Sequence, residues 1–458
     1  MPNDSTTQCW LFPGLFSRQV SVAFDQERGS SDGGAILLKA ADERLGLTRS
    51  LVSCLSDERD PDRITHELRE LVQQRVFGIA CGYPDGNDSD RLAADPVHKM
   101  LLGRDPVEGE ELASQPTISR FENSASAKNL FRVGEELARG VVKRHRKRLR
   151  GRARRITIDL DSTADLAHGD QQLALFNGHY DNTCYLPLLG FVSFNDEAEQ
   201  YLFTALLRPG NSPDKRCAVG ILKRVIALLR SGFPKATLRI RLDAGFASPE
   251  IYDYLDAEGV EYVVAMPKNS VLQRRARRSL GRASRLSRES GESERVYTET
   301  QYAARSWSHK RRVIIKAEVT RHPGRKPKKN PRFVVTNLDQ SPRWVYEKVY
   351  CKRGDVENRI KELQHGLEID RTSCSRFFAN QLRVLMTAAA YVLMQELRLQ
   401  AARTSLARAQ VWTLRDSLLK IGARVAASVR RLVLHLPTSF PFLDPWGKIA
   451  TRLGAQLA

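Results

Sequence analysis

Between Ile156 and Met266 apolar residues come in short runs split by polar turns, as in strands alternating with helices. In ITIDLDST, Ile156, Ile158 and Leu160 share one parity and Thr157, Asp159 and Asp161 the other, which predicts a short strand. CYLPLLGFVSF (184–194), EQYLFTALLR (199–208), LRIRLDAGF (238–246) and VEYVVAM (260–266) read as further strands. A helix is expected over 215–230, and another opens at Ser248-Pro249-Glu250 with proline in its first turn. Strands followed by helices in this order predict an α/β layer with a central sheet.

Upstream, 35–55 reads as a helix, a turn at Gly46 and a second helix with Thr48 as N-cap. That is the outline of a helix-turn-helix, whose second helix enters a major groove, and equally of an ordinary helical hairpin. Further helices are expected over 60–80 and 118–142. Downstream, RRVIIKAEV (311–319) and FVVTNL (333–338) read as strands, and 355–367 and 376–402 as helices. The pattern divides the chain into a flexible arm (1–34), a helical DNA-binding region (35–150), an α/β core in two parts (151–267 and 350–402), a basic β-rich insertion (268–349) and a helical C-terminal region (403–458).

Charge sharpens this picture. Among 458 residues, 73 Lys+Arg against 53 Asp+Glu leave +20, a surplus that suits a polyanionic partner. Much of it falls in 143–155, 273–288 and 310–332, so Arg146, Lys147, Arg148, Arg275 and Arg278 are expected to contact phosphate. With 41% hydrophobic residues the chain can bury a core, which excludes disorder throughout. No apolar run approaches 18 residues, so no membrane span is expected. The N-terminus lacks the features of a secretory signal, and the seven cysteines are scattered without a Cys-x-x-Cys pair. Reduced thiols and a cytoplasmic location, with no structural zinc, are expected.

Acids at the ends of buried strands require a reason, because a carboxylate out of water costs several kcal/mol unless paired or metal-bound. LDLDST ends on Asp161 and RLDAGF turns at Asp243. Parity alone does not separate Asp159 from Asp161; Asp161 is favoured because it stands at the strand's exit, where open sheets bind ligands. In YCKRGDVENRIKELQHGLEIDRTS, Arg353, Glu357, Lys361 and Gln364 line one helical face beside an apolar stripe of Val356, Ile360, Leu363 and Leu367. Singly, each acid reads as well as a cap or an ion pair. Together, Asp161, Asp243 and Glu357 would suit divalent ions.

These residues bring a resemblance into view. Tyr350, Arg353 and Glu357, with Gln364 where the pattern has Lys, resemble the Tyr-Arg-Glu-Lys signature of DDE transposases of bacterial insertion sequences. LDLDST, HGDQQ (168–172), HYDNTCYLPL (179–188), RPGN (208–211), RLDAGF (241–246) and DRTSC (370–374) are similar to one subgroup's motifs, and the likeness spans about residues 35–400. The resemblance implies an RNase H-like catalytic core in which Asp161, Asp243 and Glu357 bind two Mg²⁺ or Mn²⁺ ions. It implies Tyr350 and Arg353 on the flanking phosphate, with Lys361 standing in for the missing lysine. It also implies double-stranded DNA partners (terminal inverted repeats and target DNA), a homodimer in the synaptic complex, and hydrolysis at the element end followed by strand transfer. Trp307 and Trp344 are candidates to stack on a flipped base, or to pack. The alternative reading is a non-catalytic DNA-binding protein that holds element ends without cutting.

Overall fold

Ile156, Ile158 and Leu160 are fully buried, and so is Asp159 on the opposite parity, so the expected strand at Arg155–Ser162 (β1) is covered on both faces. It lies inside an eight-stranded mixed sheet in the computed structural model, which describes residues 9–14 and 17–456. The other strands are Leu188–Phe194 (β2), Tyr201–Leu206 (β3), Thr237–Leu242 (β4), Glu261–Met266 (β5), Glu294–Tyr302 (β6), Arg311–Thr320 (β7) and Lys328–Thr336 (β8). Their spatial order is β6-β7-β8-β5-β4-β1-β2-β3. Strands β1, β4 and β5 run parallel, and every other neighbouring pair is antiparallel.

Two expectations about strands are corrected. The run 184–194 is not one strand: Asn182–Tyr185 joins a separate ribbon with Asp165–Leu166 and Leu175–Asn177, and Pro187, which has no N–H to donate, stands at the break before β2. The insertion expected as basic and β-rich has three strands, one more than expected, and a long Arg-rich helix. It begins with that helix, and its three strands then continue the main sheet from the β5 edge. Strand β6 escaped notice because ERVYTETQY buries only Val296 and Tyr302 and so carries little apolar alternation.

The helices, in chain order, are Ile36–Leu45 (α1), Leu47–Val52 (α2), Leu68–Ala80 (α3), Gln115–Ser124 (α4), Ala127–Arg148 (α5), Ala218–Gly232 (α6), Pro249–Ala257 (α7), Ser270–Ser290 (α8), Gly354–Lys361 (α9), Phe377–Gln400 (α10) and Leu443–Leu453 (α11), with shorter turns between. Helix α10 is buried from Ala379 to Arg398 and packs on α3, α5 and β3. Among the described residues it alone is long and apolar enough to cross a membrane, and 89% of its apolar window is buried inside the protein. The helix expected over 118–142 is two, α4 and α5, with the Ser126 hydroxyl accepting from the Asn129 backbone to start the second.

At Gly46 the chain turns in a left-handed conformation (φ +64°), as expected. Thr48, however, is not the cap. It lies within α2 and donates from its backbone N–H (2.8 Å) and hydroxyl (2.6 Å) to the buried Asp42 carboxylate, which satisfies that helix start instead. Leu47, Thr48 and Leu51 are buried against α3 and α5, so the pair is a packed helical hairpin.

The expected arm is fastened from Gly29 onward. Gly29–Ser30 pairs with Ala423–Arg424, and buried Asp32 binds His98 (2.9 Å) and Lys420 (2.7 Å). Before it, Cys9–Phe12 and Val20–Ala23 form a hairpin; residues 1–8, 15 and 16 lie outside the described residues. The C-terminal region is not wholly helical either. Ala423–Ser428 and Arg431–His435 form a hairpin, drawn into a three-stranded sheet by Gly29–Ser30, ahead of α11.

Candidate active site

Because β1 and β4 are parallel neighbours, their exits lie together, and each exit carries an acid: Asp161 ends β1 and Asp243 follows β4. Asp243 is held by accepting from the Gly245 backbone N–H (2.9 Å). Asp159 has another role. Arg241 grips it with two hydrogen bonds (2.7 and 2.6 Å) and also donates to the Val349 carbonyl (3.2 Å), so this fully buried pair ties β1 and β4 to the segment above them. Of the two aspartates on that parity, only Asp161 reaches the strand's open end.

The segment above the sheet is seated by the added strands. Val345, Tyr346 and Val349 are buried against Val263 of β5, Ile314 of β7 and Val334 of β8. Tyr350 is half-buried against Tyr346 (ring centroids 5.3 Å apart), and Arg353 leads into α9. Val356, Ile360, Leu363 and Leu367 are buried as the stripe predicts, which leaves Glu357 and Lys361 exposed. The helix then widens into a π-turn at Glu362–Gly366, which changes the expected face. Gln364 turns to donate to the Thr163 hydroxyl (2.9 Å), two residues past Asp161. Glu362, fully buried, is bound by Arg398 (2.6 Å), Arg359 (3.0 Å) and the Tyr391 hydroxyl (2.6 Å), locking this turn to α10.

Arg353 stands between the two aspartates, 2.8 Å from Asp161 and 3.6 Å from Asp243. Burial pushes the Asp161 carboxyl up to about 7; Arg353 opposes this, while Asp243 and Glu357 add to it by repulsion. Burial also raises Asp243, opposed by Arg353 and reinforced by Asp214. Arg353 thus neutralises a site that gathers negative charge, and is engaged with the acids rather than with the open side where phosphate was expected. The oxygen-only donor set and mutual repulsion of these acids fit hard divalent cations.

Among the described residues the three acids do not form one close group of ligand atoms, and the Arg353 guanidinium contacts two of them, Asp161 and Asp243. Two other groups of metal-ligating side chains do close: Asp32–Cys81–His98 and Asp253–Asp256–His309. Each already has a cation, Lys420 (2.7 Å from Asp32) and Arg311 (2.5 Å from Asp253).

A pH prediction follows for the metal-free protein. Between the ordinary aspartate value near 4 and the raised value near 7, the folded chain holds a proton at Asp161 that the unfolded chain has released. Stability therefore falls as pH rises through that window. Urea titrations from pH 4 to 8 should show this fall relative to Asp161→Asn, and an equal slope in the two proteins would contradict it.

Sequence reasoning left Arg208 and Asp214 unassigned. Arg208, nearly inaccessible, donates to the Ser162 hydroxyl (2.7 Å), the Leu186 carbonyl (2.9 Å) and the Asp214 carbonyl (3.1 Å), pinning the end of β1. Its guanidinium also lies 3.6 Å from the Asp214 carboxylate, which sits where a side chain at Gly245 would go. Position in RPGN was the available signal for Arg208; a turn aspartate after proline carries none. The motifs meet behind the site: Gln171 donates to the Thr372 and Cys374 carbonyls, and Asn177 to the Gly210 carbonyl (2.7 Å). A Cβ at Gly210 would overlap the carbonyl oxygens of Cys184 and Leu175. Gly210→Ala should therefore cost about 1–3 kcal/mol in urea denaturation, and an unchanged midpoint would count against this packing.

The expected phosphate contacts divide. Arg146, Lys147 and Arg278 are exposed. Arg148, partly buried, pairs with Glu197 (2.7 Å), and Arg275, though exposed, donates to the Thr300 hydroxyl (2.7 Å), so both already have a partner within the protein. His168 and His179 are exposed loop residues. Trp307 packs edge-on against Tyr252 and Tyr302, whereas Trp344 is 38% exposed.

No curated protein matches the chain. A family model described as transposase DDE domain group 1 matches residues 12–457. Covering nearly the whole fold and all three strand-end and helix acids, that match places the chain in the DDE transposase family.

Proposed function

We propose that this transposase cuts and pastes an insertion sequence, hydrolysing the phosphodiester at its terminal inverted repeats and joining the freed 3′-hydroxyl to target DNA. The observation that carries this reading is the convergence of Asp161, Asp243 and the Glu357 helix on one end of the sheet. The strand order β3-β2-β1-β4-β5, with β1, β4 and β5 parallel, supports an RNase H-like core, which the strands β6–β8 extend.

DNA is the partner of a transposase, and DDE transposases generally use divalent metals. Asp161, Asp243 and Glu357 would hold two Mg²⁺ or Mn²⁺ ions. When bound, such ions supply activation of the attacking oxygen and charge neutralisation at the leaving one. The chain's own residues do the rest. Arg208 and the Arg241–Asp159 pair fix the strand ends, and the buried Glu362–Arg398–Tyr391 contact fixes the helix that carries Glu357. Arg353, released from the two aspartates, has the fork of donors that suits a phosphate, with Tyr350 beside it. Gln364 already holds Thr163, so exposed Lys361 is left for the phosphate role. A homodimer would bring two element ends together.

The test is a nicking assay on duplexes carrying the inverted repeat. Mg²⁺- or Mn²⁺-dependent release of a 3′-hydroxyl at the element boundary is expected. Binding without nicking under either ion would favour the non-catalytic reading.

A further inference from the structure

Helix α8 has 21 residues, and its arginines are arranged by more than composition. Leu272, Ala276, Ser279, Ala283 and Ser287 are buried along one stripe, against strands β6 and β7. Because four of these five side chains are small, the helix lies close on the sheet. At about 100° per residue, Arg274, Arg277, Arg278, Arg282, Arg285 and Arg288 all fall within an arc of roughly 140° centred opposite that stripe. All six are exposed, and 270–288 contains no acid. Arg275, which lies outside the arc and is also exposed, is hydrogen-bonded along the surface to Thr300 and Gln301.

The ridge does not stop at the helix. Arg321 donates to the Ser287 hydroxyl (2.9 Å), so the β7–β8 loop starts at the C-terminal end of α8. That loop carries exposed Arg325 and Lys326, and exposed Lys328 and Lys329 open β8 directly after it. A 21-residue helix is roughly 30 Å long at about 1.5 Å per residue, close to one turn of a DNA duplex at about 34 Å.

We propose that this ridge, from α8 into the β7–β8 loop, is a sequence-independent track for the phosphate backbone of duplex DNA. The choice of DNA over other polyanions rests on the transposase reading; the ridge itself rests on the geometry. Guanidiniums on both flanks and the crest of a helix whose first acid is Glu289, in its last turn, can meet phosphates on both sides of a groove. Such a track would hold DNA of any sequence over the β6–β8 end of the same sheet whose strand β4 leads to Asp243, leaving end recognition to other parts of the chain.

The test is equilibrium binding of the full chain to two duplexes of unrelated sequence, in EDTA, over a range of salt. Cleavage cannot contribute under those conditions, so failure of the nicking reaction and failure of this proposal are separate results. Arg278→Ala/Arg282→Ala/Arg285→Ala removes three exposed side chains with no hydrogen bond or ion pair to another described residue. The slope of log affinity against log salt should fall by about 2–3 for both duplexes, at about 0.9 per phosphate contact. The matching Arg→Lys triple variant should restore most of that slope. An unchanged slope in the alanine variant, or a lysine variant as weak as the alanine one, would overturn the proposal. So would a loss confined to anionic phospholipid vesicles or to RNA.

Discussion

Asp243→Ala should abolish metal-dependent nicking, with a loss on the order of 10³-fold or more, while duplex binding and its salt dependence stay as in the wild type. The side chain is a third exposed and its bonds are to Arg353 and the Gly245 backbone, so the fold does not depend on it. Removing it also deletes a repulsive neighbour of Asp161. The Asp161 carboxyl should consequently titrate lower in the variant than in the wild type, which NMR of the carboxyl carbon would read. Full nicking activity in Asp243→Ala would remove this residue from the site.

The second large effect is on stability. Arg398→Ala should destabilise the protein by about 3–5 kcal/mol, because it strips a partner from fully buried Glu362, which water cannot reach, and from the partly buried Glu199. Glu362 is completely buried, and its remaining partners, Arg359 and Tyr391, satisfy it less fully. This contact holds the π-turn that follows α9, so nicking should fall as well, even at temperatures where the variant is folded. Denaturant titration gives the first quantity and nicking per folded molecule gives the second. A midpoint shift near zero would mean that the turn is held by its apolar stripe alone.

These two residues show where the sequence was readable and where it was not. Asp243 announced itself because a strand ended on it and small residues followed. The same local logic placed Asp161 at a strand end and found the apolar stripe of α9 and the turn at Gly46. Periodicity also gave most of the sheet, since β1 and β4 alternate apolar with polar residues and β5 carries a short apolar run. What failed was non-local. Arg398 lies in a helix whose apolar pattern says only that it is buried, and nothing in it names Glu362. Arg208 and Asp214 act through bonds that cross the fold. Asp159 could not be told from Asp161 by parity, because the difference is made by Arg241 on the next strand. Strand β6 was lost because one of its faces is polar, and the joining of the insertion's strands to the main sheet was not legible because it is a matter of pairing with β5. The contacts that Arg148 and Arg275 make to Glu197 and Thr300 were likewise not legible, because those partners are distant in sequence.

The claim that three acids bind divalent ions is tested most directly by counting ions. Mn²⁺ bound to the protein on its element-end DNA can be followed by electron paramagnetic resonance, and compared with Asp161→Asn/Asp243→Asn/Glu357→Gln in the same complex. The account predicts two tightly bound ions per wild-type chain that are absent from the triple variant. Equal numbers of bound ions in the two proteins would contradict it.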